Sequence, residues 1–511
     1  MAQEKKSAVS TISSIMVITL FGKLLGLWRD RLLAIHYGTG MEANAFYTAS
    51  RIPRVFFDAI FAAAVAACFI PVFAQYTQKE GEEGANKFAS NFLSIIALLT
   101  FALTLIGIAF PEPLVTLFAS GYDEETRTLA TSLTRLLLPT VFLTGLAFSF
   151  VGILQGRDRF IIPALISAIS NGIIIVYFYG LDHIYGIYGL AIAYLVGWLA
   201  QSLIQIPSLR AVHFRYTPSF SLKTEGMGQV FTLMGPVMVS TWVQPINLTI
   251  NASFASHLHD GAGVSAIEIA TNLYLILAGV FILSITNVIF PKLATLTAQG
   301  DTQSFDHTLQ STLHVSLFFM LPMSVGLAVV ATPLITLVYG GGEFDQFSIQ
   351  ITAQALQWIS FGMAGYGVQN VVSRACFAKG DGKSPLYAGI TSIVVNLILS
   401  ITLLAPYGVQ GLAIASTASS TLYAILLVVI FQKQGGTILT PKLTNDLFKM
   451  LISSGLMGGL AMITQQLTQP YGALLSLLLT AMVGAITYGI LTLLLKLEEI
   501  TTLLRWLKPS N

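Results

Sequence analysis

Charge is scarce in this chain: Lys, Arg, Asp and Glu together make up 10% of its 511 residues, against about 25% in an ordinary soluble domain. So few charges can build neither the surface of a soluble enzyme nor a solvated disordered coil, and both classes are excluded. Cysteine is scarcer still. Cys68 and Cys376 lie far apart in apolar runs, where they make neither a disulfide framework nor a metal-ligand spacing, and both read as small packing residues. The net charge of +2 gives no basis for a nucleic-acid partner. A Walker-type phosphate loop is lacking, as are His/Glu and Ser/His/Asp clusters in a catalytic context, which argues against an ATP-driven pump and a membrane hydrolase. No catalytic residue, cofactor or metal is expected; His257 and His259 stand beside Asp260 in a loop without a third ligand.

Apolar side chains are abundant instead, at 54% of the chain with a mean hydropathy of +0.75. They occur in continuous runs rather than alternating ones, which excludes an outer-membrane barrel. At about 20 apolar residues per span, the runs predict fourteen transmembrane helices, near 10–35, 44–76, 87–110, 127–154, 159–180, 185–208, 227–255, 264–296, 308–331, 346–378, 384–404, 409–431, 447–467 and 471–496. The apolar stretch behind Lys5 and Lys6 runs on towards Leu33 with no small-residue cleavage site, so it is not read as a removable signal peptide. Loops on the N-terminal side carry nearly all the loop lysines and arginines, whereas the opposite loops hold only Arg127 among acids such as Glu42, Glu112, Asp123, Glu124 and Asp182. Both termini are therefore expected in the cytoplasm.

The two halves repeat at an offset of 220 to 222 residues. Pro113-Leu114-Val115-Thr116-Leu117 matches Pro333-Leu334-Ile335-Thr336-Leu337, Pro71 matches Pro291, Pro163 matches Pro385, and Gly189-Leu190-Ala191-Ile192-Ala193 returns as Gly411-Leu412-Ala413-Ile414-Ala415. Six spans per repeat is an even number, so the repeats are expected to be parallel and to enclose a central cleft between bundles that rock, with two further helices added at the C-terminus. The expected divisions are 1–215, 216–436 and 437–511, with the polar stretch His213 to Gly226 as linker. An old duplication serving only packing is the plainer alternative.

Within the spans the charges are uneven. Lys23, Arg29, Arg31, Arg51, Arg54, Arg135 and Arg374 face only Asp30, Asp58 and Glu268. A charge near the bilayer centre costs at least about 2.5–3.5 kcal/mol on insertion scales, so such residues are functional candidates by default, and a surplus of positive charge points to an anionic ligand. At 100° per residue Arg51, Arg54 and Asp58 share one helical stripe, and Lys23 shares a face with Asp30. Lys23, Arg29, Arg51 and Arg54 read as a basic lining for a phosphate-bearing substrate, against the alternative of internal salt bridges and snorkelling. Arg31, Arg135 and Arg374 read as interfacial. Glu268, with Asn272 one turn on, either carries a coupling proton or sits at the outer interface. Gly22 and Gly26 form a small-xxx-small pair suited to helix packing, and Asn171 and Asn396 read as interhelical hydrogen-bonders.

The stretch Phe21-Gly22-Lys23-Leu24-Leu25-Gly26-Leu27-Trp28-Arg29-Asp30, followed by Gly38-Thr39-Gly40, Asn44-Ala45-Phe46, Arg51-Ile52-Pro53 and Phe69-Ile70-Pro71-Val72-Phe73, resembles the opening of the MurJ (MviN) family, lipid II flippases of the multidrug/oligosaccharidyl-lipid/polysaccharide exporter superfamily. Gly152-Ile153-Leu154-Gln155 and Arg159-Phe160-Ile161-Ile162-Pro163 fit as well, and the resemblance covers essentially the whole chain. It implies a monomeric inner-membrane transporter that moves lipid II to the outer leaflet for cell wall synthesis by alternating access, among membrane lipid and beside cell-wall synthesis proteins. It also implies that the two C-terminal helices form a groove for the lipid tail, and that Lys23, Arg29, Asp30 and Arg51 engage the diphosphate and sugar. Three positions depart from the family pattern: Asn44 stands for an acid, with Glu42 nearby, Phe57-Asp58 for a basic pair, and Asn272 for a cavity arginine. The rival readings are a flippase for another polyprenyl-linked glycan such as a teichoic acid or capsule unit, a drug/cation antiporter, and a non-transporting scaffold.

Overall fold

A computed structural model describes residues 2–57, 68–221, 226–232 and 242–499. Two compact units divide it, Met1–Val264 and Ser265–Asn511. The first holds α1 (Ala2–Tyr37), α2 (Met41–Phe57), α3 (Ile70–Ala109), α4 (Pro111–Phe118), α5 (Glu124–Leu137), α6 (Pro139–Gln155), α7 (Ile161–Gly180), α8 (Asp182–Leu203), α9 (Ile206–Ala211) and α10 (Val243–Ala255). From Ala262, α11 (Ala262–Ala298) leads into the second unit, with α12 (Thr302–Val329), α13 (Ala331–Tyr339), α14 (Gln346–Ser360), α15 (Met363–Ala378), α16 (Lys383–Lys433), α17 (Pro441–Thr468) and α18 (Ala473–Leu494). Among the described residues there is no strand beyond an isolated bridge between Gly341 and Phe344, and nine helices are long and apolar enough to cross a membrane. The expected all-α polytopic class is what the chain adopts.

Burial runs inside out relative to a soluble protein. On α17 and α18 most of the buried positions are small or polar, including Ser453, Ser454, Gly458, Ser476, Thr480, Gly484 and Thr492, while Leu456, Leu460, Leu474, Leu478 and Leu494 are exposed. Lipid supplies no hydrophobic drive between helices, so small residues that let backbones approach take the inner face. Helix starts are set by ordinary caps: Asp123, Asp301, Asp345 and Thr440 each accept a hydrogen bond from a backbone N–H three residues on.

The repeat carries a turn that its sequence motif only partly displays. Gly186 (φ 51, ψ −147) breaks α8 and Gly408 (φ 53, ψ −129) breaks α16, three residues before the matching glycines 189 and 411, and preceded in both halves by tyrosine. The positive φ is inexpensive only for glycine. In consequence the two expected spans 384–404 and 409–431 lie in α16, on either side of this break. The loop expected near 77–86 is likewise helical on both sides of Gly81 (φ 68, ψ −166) in α3.

Residues of the expected second and third spans meet in an aromatic cluster. Phe69 stacks within 4.4–5.6 Å of Phe73, Phe88 and Phe92, and Cys68 packs fully buried among them. Arg157, from the α6–α7 loop, lies over Phe73 at 5.7 Å, pairs with Glu82 at 2.5 Å, and donates to Val212 O (2.8 Å) and Asn86 Oδ1 (3.0 Å). In the second unit Lys379, 222 residues later, sits over Phe305 and Phe431 at 4.7 and 4.4 Å. Each repeat thus closes the same loop with a cation on aromatic faces.

Residues 213–221 of the expected linker run without helical structure along α3, which supplies side chains to their backbone. Ser90 Oγ donates to Arg215 O (3.3 Å) and accepts from Thr217 N (3.1 Å). Ser94 Oγ accepts from Ser219 N (3.4 Å). Asn91 donates to Ser221 O (2.7 Å) and accepts from Ser221 N (2.8 Å). Irregular backbone at the edge of a membrane protein needs such partners. Asn91→Ala removes two of these bonds, about 2 kcal/mol together, so hydrogen exchange at Ser221 is expected to accelerate ~30-fold. Unchanged exchange in peptides covering 213–221 would show that the strap is held elsewhere.

In the second unit α17 and α18 are fastened to α12. Tyr488 Oη donates to Phe318 O at 2.8 Å, and His314 Nδ1 faces Glu499 Oε1 at 3.1 Å and Asp446 Oδ2 at 3.9 Å. Lys449 lies 3.5 Å from Asp446, and Lys442 2.6 Å from Glu498. Against the cost of burial, the hydrogen bond from His314 keeps the Glu499 carboxyl below its usual range.

Candidate functional site

The site is built where α1, α7 and α8 pack together, with α2 alongside. α1 lies along α7 through Gly22 and Gly26. A Cβ on Gly22 would meet Ser167 Oγ at 3.5 Å, and one on Gly26 would meet Asn171 Nδ2 at 3.3 Å, so the small-xxx-small pair exists for close packing, as its spacing suggests. α8 joins through Gly197, whose Cβ would lie 2.8 Å from Ser170 Oγ.

This packing surrounds Arg29. Its Nε and Nη2 donate to Asp30 Oδ1 at 3.0 and 2.6 Å, and its Nη1 donates to Asn171 Oδ1 at 3.0 Å. The guanidinium lies over the Tyr194 ring, with Cζ 5.5 Å from the centroid. Tyr194 in turn meets Phe46 of α2 edge-on, at 4.9 Å and 73°. Asn171 Nδ2 donates to Gly22 O at 3.1 Å, the interhelical bond expected of it. The Arg29 side chain remains 24% exposed. One N–H on each terminal nitrogen is left beyond these bonds, available to the oxygens of a phosphate or carboxylate.

The other sequence candidates are placed unequally. Lys23 is half-buried on α1. Arg51 is 3% exposed and donates to Leu248 O of α10 at 3.1 Å, so it is turned inward, while Arg54 on the same helix is exposed. Asp58 lies outside the described residues. Asn44 is buried in the first turn of α2, its side-chain amide donating to Thr39 O at 2.9 Å and its backbone carbonyl accepting from Tyr122 Oη at 2.8 Å. Glu42 is exposed in the first turn of α2. In the second unit, Glu268 is buried on α11 and Asn272, one turn along, is half-buried. Arg31 lies over exposed Trp28 at 5.9 Å and Arg374 over Phe290 at 5.6 Å. Among the described residues no group of three or more His, Cys, Asp or Glu could hold a metal ion. Tyr194 is the residue that sequence reasoning missed: nothing in a single aromatic within a span signals a partner on another helix.

Residues 33–483 match the family described as lipid II flippase MurJ. The probable lipid II flippase MurJ of Thermotoga maritima is 26% identical over 488 residues, which is 95% of this chain and 96% of that protein. The solved structure of a lipid II flippase MurJ in an inward closed conformation superposes with a TM-score of 0.78 at 26% identity, covering 94% of this chain and 97% of that one. An inward-facing multidrug resistance MATE family transporter of the MOP superfamily shares the fold, with a TM-score of 0.69 at 17% identity over 82% of this chain and 97% of that one.

Proposed function

The chain belongs to the lipid II flippase MurJ family, and from that premise we propose that Arg29 is the principal contact for the diphosphate of lipid II. The protein is a transporter, a multi-pass lipid II flippase, and not an enzyme. The observation that carries the site reading is the fork at Arg29: a membrane-embedded guanidinium held on three sides, with donors to spare and part of its surface open. A diphosphate presents several anionic oxygens, and charge-assisted bonds to them exceed neutral ones in strength. Lys23 and exposed Arg54 add positive potential near the head group, and buried Arg51 adds charge from behind while tying α2 to α10. Asp30 neutralises Arg29 while no anion is bound, which lowers the cost of leaving the cation in the membrane empty.

In the same reading the chain acts as a monomer, with both termini in the bacterial cytoplasm. Two six-span repeats, near 1–215 and 216–436, alternate access around the head group. The helices after residue 437 keep the polyprenyl tail in lipid, and Glu268 with Asn272 serves as a second polar position in the cavity. The test is depletion of the resident lipid II flippase in a bacterium supplied with this chain, with externally exposed lipid II labelled by an impermeant reagent. Restored exposure is the expected result. No restoration despite confirmed membrane insertion would reassign the substrate to another polyprenyl-diphosphate-linked glycan.

A further inference from the structure

We propose that Asn171 and Tyr194 are the positioning residues of Arg29, setting the direction in which its free donors point; this rests on the reading of Arg29 as the diphosphate contact. An arginine on a span has a long flexible stem and would otherwise snorkel or fold onto its own helix. Asp30 does not prevent that. It is the next residue, so its bonds to Nε and Nη2 travel with α1 and fix the guanidinium only against its own backbone. The bond from Nη1 to Asn171 crosses to α7 and the stacking on Tyr194 crosses to α8, so together they fix the guanidinium plane relative to two other helices.

The Asn171 amide itself has one orientation. Its Nδ2 donates to Gly22 O and its Oδ1 accepts from Arg29. Exchanging the two atoms would set an oxygen against a carbonyl and an NH2 against a cation. At 6% exposure water does not relieve either clash. Glycine at 26 gives the amide room to lie there, since the Cβ of a larger residue at 26 would press on Nδ2, while the Gly22 carbonyl accepts from it. Gly26 therefore does more than pack: it leaves room for the amide that orients the cation. Tyr194 acts through its ring face, so its hydroxyl is dispensable for this role.

The test is a double-mutant cycle on the full-length protein in nanodiscs, reading the affinity for fluorescent lipid II. Arg29→Ala should weaken binding about 100-fold and Asn171→Ala about tenfold. Because Asn171 acts through Arg29, the double variant should bind no more weakly than Arg29→Ala alone. Tyr194→Leu should weaken binding and couple to Arg29 in the same way, while Tyr194→Phe should bind like the unaltered protein, and this pair decides the matter if Asn171→Ala fails to fold. Additive losses, or unchanged affinity in both Asn171→Ala and Tyr194→Leu beside a loss in Arg29→Ala, overturn the positioning role and leave the Arg29 reading standing. Unchanged affinity in Arg29→Ala overturns both.

Discussion

Arg29→Ala is expected to reduce externally exposed lipid II about 100-fold in cells that depend on this chain, with the protein still inserted at normal abundance. The magnitude follows from the two N–H donors left beyond the Asp30 and Asn171 bonds. Two hydrogen bonds to a charged group contribute roughly 3 kcal/mol or more together, which is about two orders of magnitude in binding. Arg29→Lys separates charge from geometry. An ammonium keeps the positive charge but cannot bond Asp30 and Asn171 and still present a planar pair of donors. It is expected to recover part of the exposure, to within about tenfold of the unaltered chain. Impermeant labelling of lipid II alongside quantification of the protein in membranes measures both effects. Full exposure in Arg29→Ala would remove this residue from the head-group site.

Gly411→Ala is expected to be the most destabilising single methyl group added to the second unit. A Cβ there would fall inside the contact distance of the Leu403 carbonyl, which is backbone and can yield only by opening the α16 break at Gly408. Overpacking of this kind costs typically 1–3 kcal/mol, and the positive φ three residues earlier leaves the turn little room to adapt. Gly186→Ala is the internal comparison. Its φ is 51° but open space surrounds its Cβ, so backbone strain acts alone, with no steric clash added. Thermal unfolding followed in detergent should give a larger fall in midpoint for Gly411→Ala than for Gly186→Ala. Equal midpoints would mean that the carbonyl approach at Leu403 is relaxed at negligible cost.

Much of this architecture was legible in one dimension because the bilayer imposes it. Long apolar runs, charge asymmetry and a displaced repeat are read without knowing a single contact, and the membrane class and most span positions followed from them. Arg29 was legible for the same reason: a cation inside an apolar run needs an explanation wherever it points. Partners were not legible. Arg51 and Arg54, three residues apart, read as neighbours on a stripe, yet one is buried against the Leu248 carbonyl and the other is exposed. Helical spacing places two side chains within about 60° of each other but does not say where the packing boundary falls between them. The segment around Lys79, Glu80, Glu82 and Glu83 looked like a loop for its charge, but Glu and Lys are good helix formers and only Gly81 departs from helical geometry. Asn171 was read as a bond between helices, and so it is. That its carbonyl oxygen would find a cation on α1 depends on the approach of α7 in three dimensions.

The duplication copied the turn glycine from Gly186 to Gly408 and the aromatic-capped cation from Arg157 to Lys379, but it did not keep two copies of the fork. At the repeat offset of 220 to 222, Arg29 corresponds to Thr249, Ile250 and Asn251, none of them basic. The turn and the capped cation are therefore twofold, while the proposed anion contact at Arg29 has no basic counterpart at the repeat offset. With Arg29 as the proposed diphosphate contact, the expected stoichiometry is one diphosphate per chain, and the proposed roles of the two halves are unequal: one would carry the cargo's charge, and the other would only have to let it pass.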